Sequence, residues 1–155
     1  MNVTTRARYA LRAVLDIATN GREKPVRAAD VALRQGISAG YLERLLVALG
    51  EAGVVESRRG PGGGYLLARS ADELTVRDVF LASGEPVELA PCLGEDCTAC
   101  GRATACPVRD VWGGLARATE SYLAALSISD LVDSGSRVAN DKKNGLRPLR
   151  APAGE

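Results

Sequence analysis

Four cysteines lie within one fifteen-residue stretch, and the chain holds no others. They are Cys92, Cys97, Cys100 and Cys106, in the spacing Cys-x4-Cys-x2-Cys-x5-Cys. Buried cysteines scattered along a chain usually fill a core, but these lie in residues 85–106, where hydrophobic periodicity disappears. Structural disulfides would need an oxidising compartment. The cluster therefore indicates a metal site, because thiolates select zinc or iron–sulfur clusters.

The spacing alone leaves the chemistry of this site open. Paired Cys-x2-Cys units are typical of structural zinc, whereas this stretch has one such unit, Cys97 and Cys100. An iron–sulfur cluster (2Fe–2S or 4Fe–4S), a zinc ion and a thiol–disulfide switch all fit. A thiol oxidoreductase using the same pair would need a βαβ context that the sequence lacks. Because the chain has no histidine, most acid–base and nucleophilic mechanisms lose their usual base, and we predict no enzyme activity.

A long helix should follow the cysteines, because Pro107 suits a first helical turn. Mostly apolar side chains then recur at alternating steps of four and three residues: Val108, Trp112, Leu115, Thr119, Tyr122 and Leu126. This seam is typical of coiled-coil pairing, although it would also suit a helix packed on its own domain. We predict that it forms a homodimer. A short capped segment should follow at 129–132, and residues 135–155 have too little to bury and should be a disordered tail.

Upstream of the cysteines, residues 36–67 predict a recognition helix followed by a two-stranded wing. Ser38 should cap the helix, and Gly53 should end it. Leucines at helical spacing should face a core: Leu42, Leu45, Leu46 and Leu49. The helix start is where helix-turn-helix proteins present side chains to the major groove, and its candidates are Ser38, Ala39, Gly40, Tyr41, Glu43 and Arg44.

The predicted wing has arms at 54–57 and 65–68 around a basic, glycine-rich tip. The tip reads Arg58, Arg59, Gly60, Pro61, Gly62, Gly63 and Gly64. Guanidinium groups beside glycines suit a narrow minor groove, where the negative potential is enhanced. Read alone, the tip could be an ordinary hairpin turn with solvated edge charges, and a nucleotide loop would require Gly-Lys-Ser/Thr.

Three further helices are predicted around this unit. The first begins after Thr4 or Thr5 and ends near Asn20, with Arg6, Arg8 and Arg12 off its apolar stripe, where Arg6 or Arg8 could contact phosphate. The second covers 28–35 and should bury Val31, Ala32 and Leu33. The third covers 76–82, after a capping box formed by Thr75 and Asp78.

Charge is unevenly distributed along the chain. Residues 1–70 hold 11 Lys/Arg and 6 Asp/Glu (net +5), residues 71–134 hold 4 and 11 (net −7), and residues 135–155 hold 5 and 2 (net +3). A basic first half suits a polyanion such as double-stranded DNA. No apolar run reaches the ~18 residues of a membrane span, and no signal-peptide pattern begins the chain. We expect a cytoplasmic protein without membrane association.

Together these patterns predict a mainly α fold with a small β-hairpin wing, a winged helix-turn-helix plus a long dimerisation helix. The expected division is a DNA-binding domain at 1–84 and a cysteine loop at 85–106. The dimerisation helix and short helix should cover 107–134, before the tail at 135–155.

Several motifs resemble the IscR-type regulators of the Rrf2 family of bacterial transcription factors, which also holds a nitric-oxide sensor and a cysteine-metabolism regulator. They are Thr5-Arg-Ala-Arg-Tyr-Ala-Leu11, Gln35-Gly-Ile-Ser38, Tyr41-Leu-Glu43 and Arg59-Gly-Pro-Gly-Gly-Gly-Tyr65, with the cysteine loop before a long helix. The resemblance covers residues 1 to about 134. It implies a homodimeric winged-helix repressor or activator, bound to an inverted-repeat operator, whose iron–sulfur cluster changes its DNA affinity.

The resemblance also assigns roles to particular residues. It implies that Ser38, Tyr41, Glu43 and Arg44 face the major groove, that Arg59 enters the minor groove, and that Cys92, Cys100 and Cys106 fit the family's Cys-x7-Cys-x5-Cys variant. Two positions depart from it: the IscR ligand histidine, three residues after the last cysteine, is Arg109 here, and Cys97 is an additional thiol. The fourth ligand could be Cys97, a small external molecule or a carboxylate, of which Asp16 is the nearest.

Overall fold

A computed structural model describes residues 3–84, 90, 93 and 106–141. The helices and strands are α1 (Thr5–Asn20), α2 (Ala28–Gln35), α3 (Ala39–Glu51), β1 (Val55–Arg58), β2 (Gly64–Leu67), α4 (Val76–Ala82), α5 (Arg109–Ala124) and α6 (Ile128–Asp141). The predicted fold class, mainly α with a small β-hairpin wing, is confirmed. No described helix is long and apolar enough to cross a membrane.

Helix α1 is the central element of the core. Thr4 caps it by accepting a hydrogen bond from the Ala7 N–H at 3.2 Å, and one α1 face is fully buried, with Val14 and Ile17 at its centre. Helices α2 and α3 pack against this face, and α2 buries Val31 and Ala32 as predicted. The prediction for Leu33 is wrong, because that side chain is 83% exposed. Three consecutive residues of a helix cover 200° and cannot all face one core.

Helix α3 begins and ends at tight turns. Gly36, at φ 63°, ends α2 in the left-handed conformation that glycine adopts readily, and Gly53, at φ 68°, lies just beyond the end of α3. The four predicted core leucines of α3 are all buried. Ser38 occupies the predicted N-cap position, but its side chain makes no capping hydrogen bond. Its hydroxyl therefore does not serve the structural role that the sequence predicted.

The wing is an antiparallel hairpin whose arms lie one residue away from their predicted positions. Val55 pairs with Leu67 and Arg58 with Gly64. An unpredicted bridge attaches β2 to the loop after α1: Val26 and Tyr65 exchange two backbone hydrogen bonds of 2.9 and 2.8 Å. A Cβ at Gly64 would lie 2.4 Å from the Val26 carbonyl oxygen, so this close approach requires glycine and fixes the base of the wing.

Helices α4 and α6 begin side by side, each with reciprocal capping. The predicted Thr75–Asp78 capping box at α4 is present, and Ser127 and Asp130 make the equivalent exchange at α6. Backbone hydrogen bonds join the two starts, from Ile128 N–H to the Leu74 carbonyl and from Val76 N–H to the Leu126 carbonyl.

Helix α6 contributes to the core and is longer than predicted. Ile128 is fully buried, and Val132 belongs to the same core cluster, so this core extends beyond the predicted domain boundary at residue 84. The predicted tail boundary at 135 is wrong, because α6 continues to Asp141. Once a capped and anchored first turn exists, each added residue costs little, even where the local sequence is a weak helix former. The remainder of the predicted tail, 142–155, lies outside the described residues.

Candidate nucleic-acid interface and cysteine segment

The exposed side of α3 presents the predicted major-groove side chains on two flanks. Ser38, Glu43 and Arg44 are exposed, and Tyr41 is partly buried. Tyr41 and Arg44 are three residues apart and share one flank, whereas Glu43 lies about 200° around the helix from Tyr41. The structure thus brings Tyr41 and Arg44 together, with the Arg44 guanidinium 6.0 Å from the Tyr41 ring centroid. Their contact with bases stays a prediction.

The Tyr41 flank is supported from α1 by residues that sequence reasoning did not assign to the site. Tyr9 meets Tyr41 edge to face, and the Arg12 guanidinium lies 5.5 Å from the Tyr9 ring centroid. Arg12 also donates hydrogen bonds to the Gln35 side chain and backbone carbonyl. Aromatic residues on α1 and α3 were the available signal, but their contact depends on the helix crossing, which the sequence alone does not specify.

A buried carboxylate holds α1 against α2 beneath this flank. The Asp16 side chain is 3% exposed and accepts from Arg34 Nη2 at 2.6 Å and Nε at 3.0 Å, and from Gln35 Nε2 at 2.8 Å. Burial raises the pKa of Asp16, but hydrogen bonds from Arg34, Gln35 and Asn20 outweigh that effect and lower the pKa below its ordinary value of 3.8. Asp16 is therefore engaged by residues of its own chain, which argues against it as a cluster ligand.

The wing tip presents its two arginines differently. Arg58 donates to the Glu56 carboxylate from Nη2 at 2.6 Å and from Nε at 3.0 Å. Arg59 is exposed and makes no hydrogen bond or ion pair with any residue that the structure describes. Of the two predicted minor-groove arginines, Arg59 is thus the one with an uncompensated charge.

Glycines give the wing tip its shape. Gly60 and Gly62 have φ of 105° and 79°, a region that side-chain-bearing residues rarely adopt. The Gly63 N–H donates to the Gly60 carbonyl at 2.9 Å, and a Cβ at Gly63 would lie 2.3 Å from the Arg58 carbonyl oxygen. The backbone at the tip is consequently bare and fixed, as close approach to a DNA strand requires.

Of the four predicted metal-binding cysteines, Cys106 is the one within the described residues; Cys92, Cys97 and Cys100 lie outside them. The Cys106 thiol is partly buried and forms no disulfide. Its backbone carbonyl accepts from the Arg109 N–H at 3.2 Å, which places the thiol directly before α5.

Helix α5 uses one side to contact the rest of the chain. The Arg77 guanidinium of α4 donates to the Glu120 carboxylate of α5 at 2.6 and 2.8 Å. Two turns earlier on the same side, a Cβ at Gly113 would lie 3.9 Å from the Leu93 side chain of the cysteine segment. Leu93 therefore lies close to α5 at Gly113.

The other side of α5 carries the predicted seam, and much of it is exposed. No residue of α5 is buried. Trp112, Leu115 and Tyr122 are 41–50% exposed, and Val111 beside them is 61% exposed. Thr119 and Leu126 of the same seam are partly buried. A stripe of large apolar side chains facing solvent is typical of a protein–protein interface.

Comparisons with known proteins agree with this geometry. Residues 3–134 match the model of the Rrf2 family, described as iron-dependent transcriptional regulators. The HTH-type transcriptional regulator IscR of Photorhabdus laumondii is 39% identical, over 99% of this chain and 93% of that protein.

Solved structures of transcriptional regulators are similar to this chain as well. CymR, the global cysteine regulator of B. subtilis, superposes with a TM-score of 0.71 at 28% identity, covering 86% of this chain and 98% of that one. IscR of T. potens superposes with a TM-score of 0.69 at 28% identity, covering 96% and 94%.

Proposed function

The chain belongs to the Rrf2 family of transcriptional regulators, and we propose that it is a homodimer that binds an inverted-repeat operator and senses iron–sulfur, redox or nitric-oxide status through a cysteine-ligated cluster. It is a DNA-binding regulator and not an enzyme. One observation carries the proposal: α3 and the wing tip each present an exposed arginine that has no ionic partner among the described residues. They are Arg44 on α3 and Arg59 at the wing tip.

These arginines belong to the two elements that a winged helix brings to DNA. Helix α3 enters the major groove with the side chains of its first turns toward base edges, where Ser38, Tyr41, Glu43 and Arg44 are the candidates. The wing tip follows the adjacent backbone, and Arg59 enters the minor groove over the bare turn formed by Gly60 and Gly62. Arg58, neutralised by Glu56, contributes less.

Dimerisation through the exposed stripe of α5 supplies the second half of the operator contact. Two recognition helices related by a dimer axis read half-sites about one turn, ~34 Å, apart. The stripe faces away from the Arg77–Glu120 contact, so a partner helix can cover it without displacing α5 from its own subunit.

The donor chemistry of the cysteine segment fits an iron–sulfur cluster. Cys92, Cys100 and Cys106 would supply three thiolates, the ligands that such clusters prefer. Arg109 cannot ligate as a histidine would, and Asp16 is engaged by Arg34 and Gln35, which leaves Cys97 or a small external molecule as the fourth ligand. When bound, the cluster supplies a redox-active centre. Cys106 would join such a cluster directly to the start of α5, the helix through which we propose that the two DNA-binding heads are coupled.

A second candidate is a thiol switch without a cluster. The similarity to CymR favours it, because that protein is a cysteine regulator and because Cys106 is a free, partly buried thiol. On this alternative, oxidation of the clustered thiols replaces cluster occupancy as the signal. A zinc-stabilised regulator is the third arrangement that the donors allow.

Anaerobic purification followed by absorption and electron paramagnetic resonance spectroscopy separates these candidates. We expect a brown protein with sulfide-to-iron charge-transfer bands and a paramagnetic signal in one oxidation state. Operator binding should differ between the cluster-loaded and the apo protein. A colourless protein that contains zinc, or one whose operator binding follows thiol oxidation alone, would overturn the cluster proposal and leave DNA binding intact.

A further inference from the structure

The start of α1 meets the start of α3 around a small cavity of about 180 Å³. Its lining consists of Arg6 from α1 with Tyr41, Arg44 and Leu45 from α3. Neither arginine makes a hydrogen bond or an ion pair with any of the described residues. In the part of the chain that the structure describes, no carboxylate pairs with either charge, so the two positive charges repel each other and an anion between them removes that repulsion.

The orientation of Arg6 leaves its donors available. A Cβ at Gly84 would lie 3.8 Å from each of Cζ, Nη1 and Nη2 of Arg6. Equal distances to these three atoms mean that the flat face of the guanidinium lies over the glycine. The N–H groups of a guanidinium lie in its plane. No described residue hydrogen-bonds to that edge, which can form the paired hydrogen bonds that arginine makes with phosphate.

The walls of the cavity favour a bound group with both a charged and an apolar side. Leu45, which lines it, is a buried apolar side chain, and the Tyr41 ring in its wall packs edge to face with Tyr9. The cavity has several times the ~30 Å³ of one liquid water, which is room for a tetrahedral oxyanion. It lies on the flank of the recognition helix that carries Arg44.

We propose that this cavity binds one phosphate of the DNA backbone, held between Arg6 of α1 and Arg44 of α3. The proposal rests on the proposed DNA-binding function and adds a site to it. A phosphate held by two helices at once fixes the insertion angle of α3 and carries no sequence information itself. Arg6 is then a residue that sets the register of the complex, while base recognition belongs to other side chains of α3.

Salt-dependent operator binding of Arg6→Gln tests the site. Each phosphate contact contributes a slope of about −0.9 to the dependence of log affinity on log salt concentration. We expect Arg6→Gln to reduce the magnitude of that slope by about 0.9 per subunit, with the same loss of affinity on operator and unrelated DNA. Arg6→Lys should retain most of the slope. Arg22→Gln, two residues beyond the far end of α1, is the matched control and should leave the slope unchanged.

Neutral methylphosphonate, placed at successive backbone positions of the operator, locates the contact. At one backbone position per half-site, methylphosphonate should weaken operator binding by the wild-type protein. At that position the same replacement should not change operator binding by Arg6→Gln. Thermal unfolding of the variant should match the wild type. The proposal is overturned if Arg6→Gln binds the operator with the wild-type salt slope. It is also overturned if inorganic phosphate binds in the cavity but Arg6→Gln has the operator affinity of the wild type. Absence of operator binding by the wild type would instead refute the proposed function.

Discussion

The ring of Tyr9 on α1 meets the ring of Tyr41 on α3 edge to face, with centroids 6.0 Å apart and planes at 83°. Through this contact the helix that carries Arg6 and Arg12 supports the side chain beside Arg44. The orientation of the recognition surface thus depends on α1 as well as on α3 itself.

Replacing the Tyr9 and Tyr41 rings by leucine should measure how much their contact contributes to the free energy of unfolding. Edge-to-face pairs contribute about 0.5–1.5 kcal/mol beyond the area that they bury. In a double-mutant cycle of Tyr9→Leu and Tyr41→Leu, urea unfolding should give a coupling energy in that range. A parallel cycle of Tyr9→Leu with Tyr65→Leu, whose ring lies in the wing, should be additive. Additivity in both cycles would show that the rings merely fill space.

Removing the charge of Asp16 should change how stability depends on pH. The pKa of Asp16 in the folded protein is below 3.8, so its ionised form favours folding. That contribution is complete above the unfolded pKa and is lost as the pH falls through the folded one. Asp16→Asn should destabilise the protein by about 2 kcal/mol at neutral pH and by much less at about pH 2. Thermal unfolding across this range checks the expectation, and equal losses at both pH values would contradict it.

The wing arginines should respond differently to substitution. Arg59→Ala should weaken binding most at operators with an A/T-rich tract facing the wing, because a narrow minor groove concentrates negative potential. Arg58→Ala is the matched control: its charge is already paired with Glu56, and it should cost less. Fluorescence anisotropy on tract and non-tract operators measures both. Equal losses for Arg59→Ala on the two operators would indicate a simple phosphate contact.

A charge in the exposed stripe of α5 should separate the subunits. Leu115→Glu places a carboxylate among Trp112, Tyr122 and their copies in the partner, where no compensating charge is expected. Sedimentation should show monomers whose operator affinity is much lower. Ser121→Glu adds the same charge to α5 away from the stripe and should remain dimeric. If Leu115→Glu sediments as a dimer, the interface lies elsewhere.

Cysteine substitutions should identify the cluster ligands. Cys92→Ser, Cys100→Ser and Cys106→Ser should each abolish the brown chromophore, and Cys97→Ser should leave a cluster that is altered or more labile to oxygen. Absorption spectra recorded during controlled exposure to air distinguish these cases. An unchanged spectrum and lifetime for Cys97→Ser would remove it from the ligand set. If Cys100→Ser is the silent variant, the ligands are Cys92, Cys97 and Cys106.

Periodicity and capping chemistry predicted the helices and the hairpin because these depend on neighbouring residues. Thr4, Gly53 and the Thr75–Asp78 box lie at helix ends as expected. A contact between residues distant in sequence could not be predicted in this way. The Val26–Tyr65 bridge that anchors the wing joins residues nearly forty positions apart.

The candidate nucleic-acid interface could likewise be predicted only where it depends on local sequence. Residue type predicted Tyr41, Arg44 and Arg59 as candidates, since exposed cations and a glycine-rich tip are local features. A phosphate contact by Arg6 or Arg8 was predicted, but the position of Arg6 beside Arg44 and the contact of Tyr9 with Tyr41 were not, because both depend on the angle at which the helices cross. Likewise, nothing local indicated that Glu56 would neutralise Arg58 and leave Arg59 uncompensated.

The burial of Ile128 and Val132 in the core that α1 organises has a consequence for the order in which the chain matures on the ribosome. The recognition helix and wing are complete by residue 67, but α6, which covers part of their core, is synthesised some sixty residues later. A nascent chain that ends before α6 carries DNA-reading residues on an unfinished core. Completion of this core must therefore wait until the cysteine segment and α5 have also emerged.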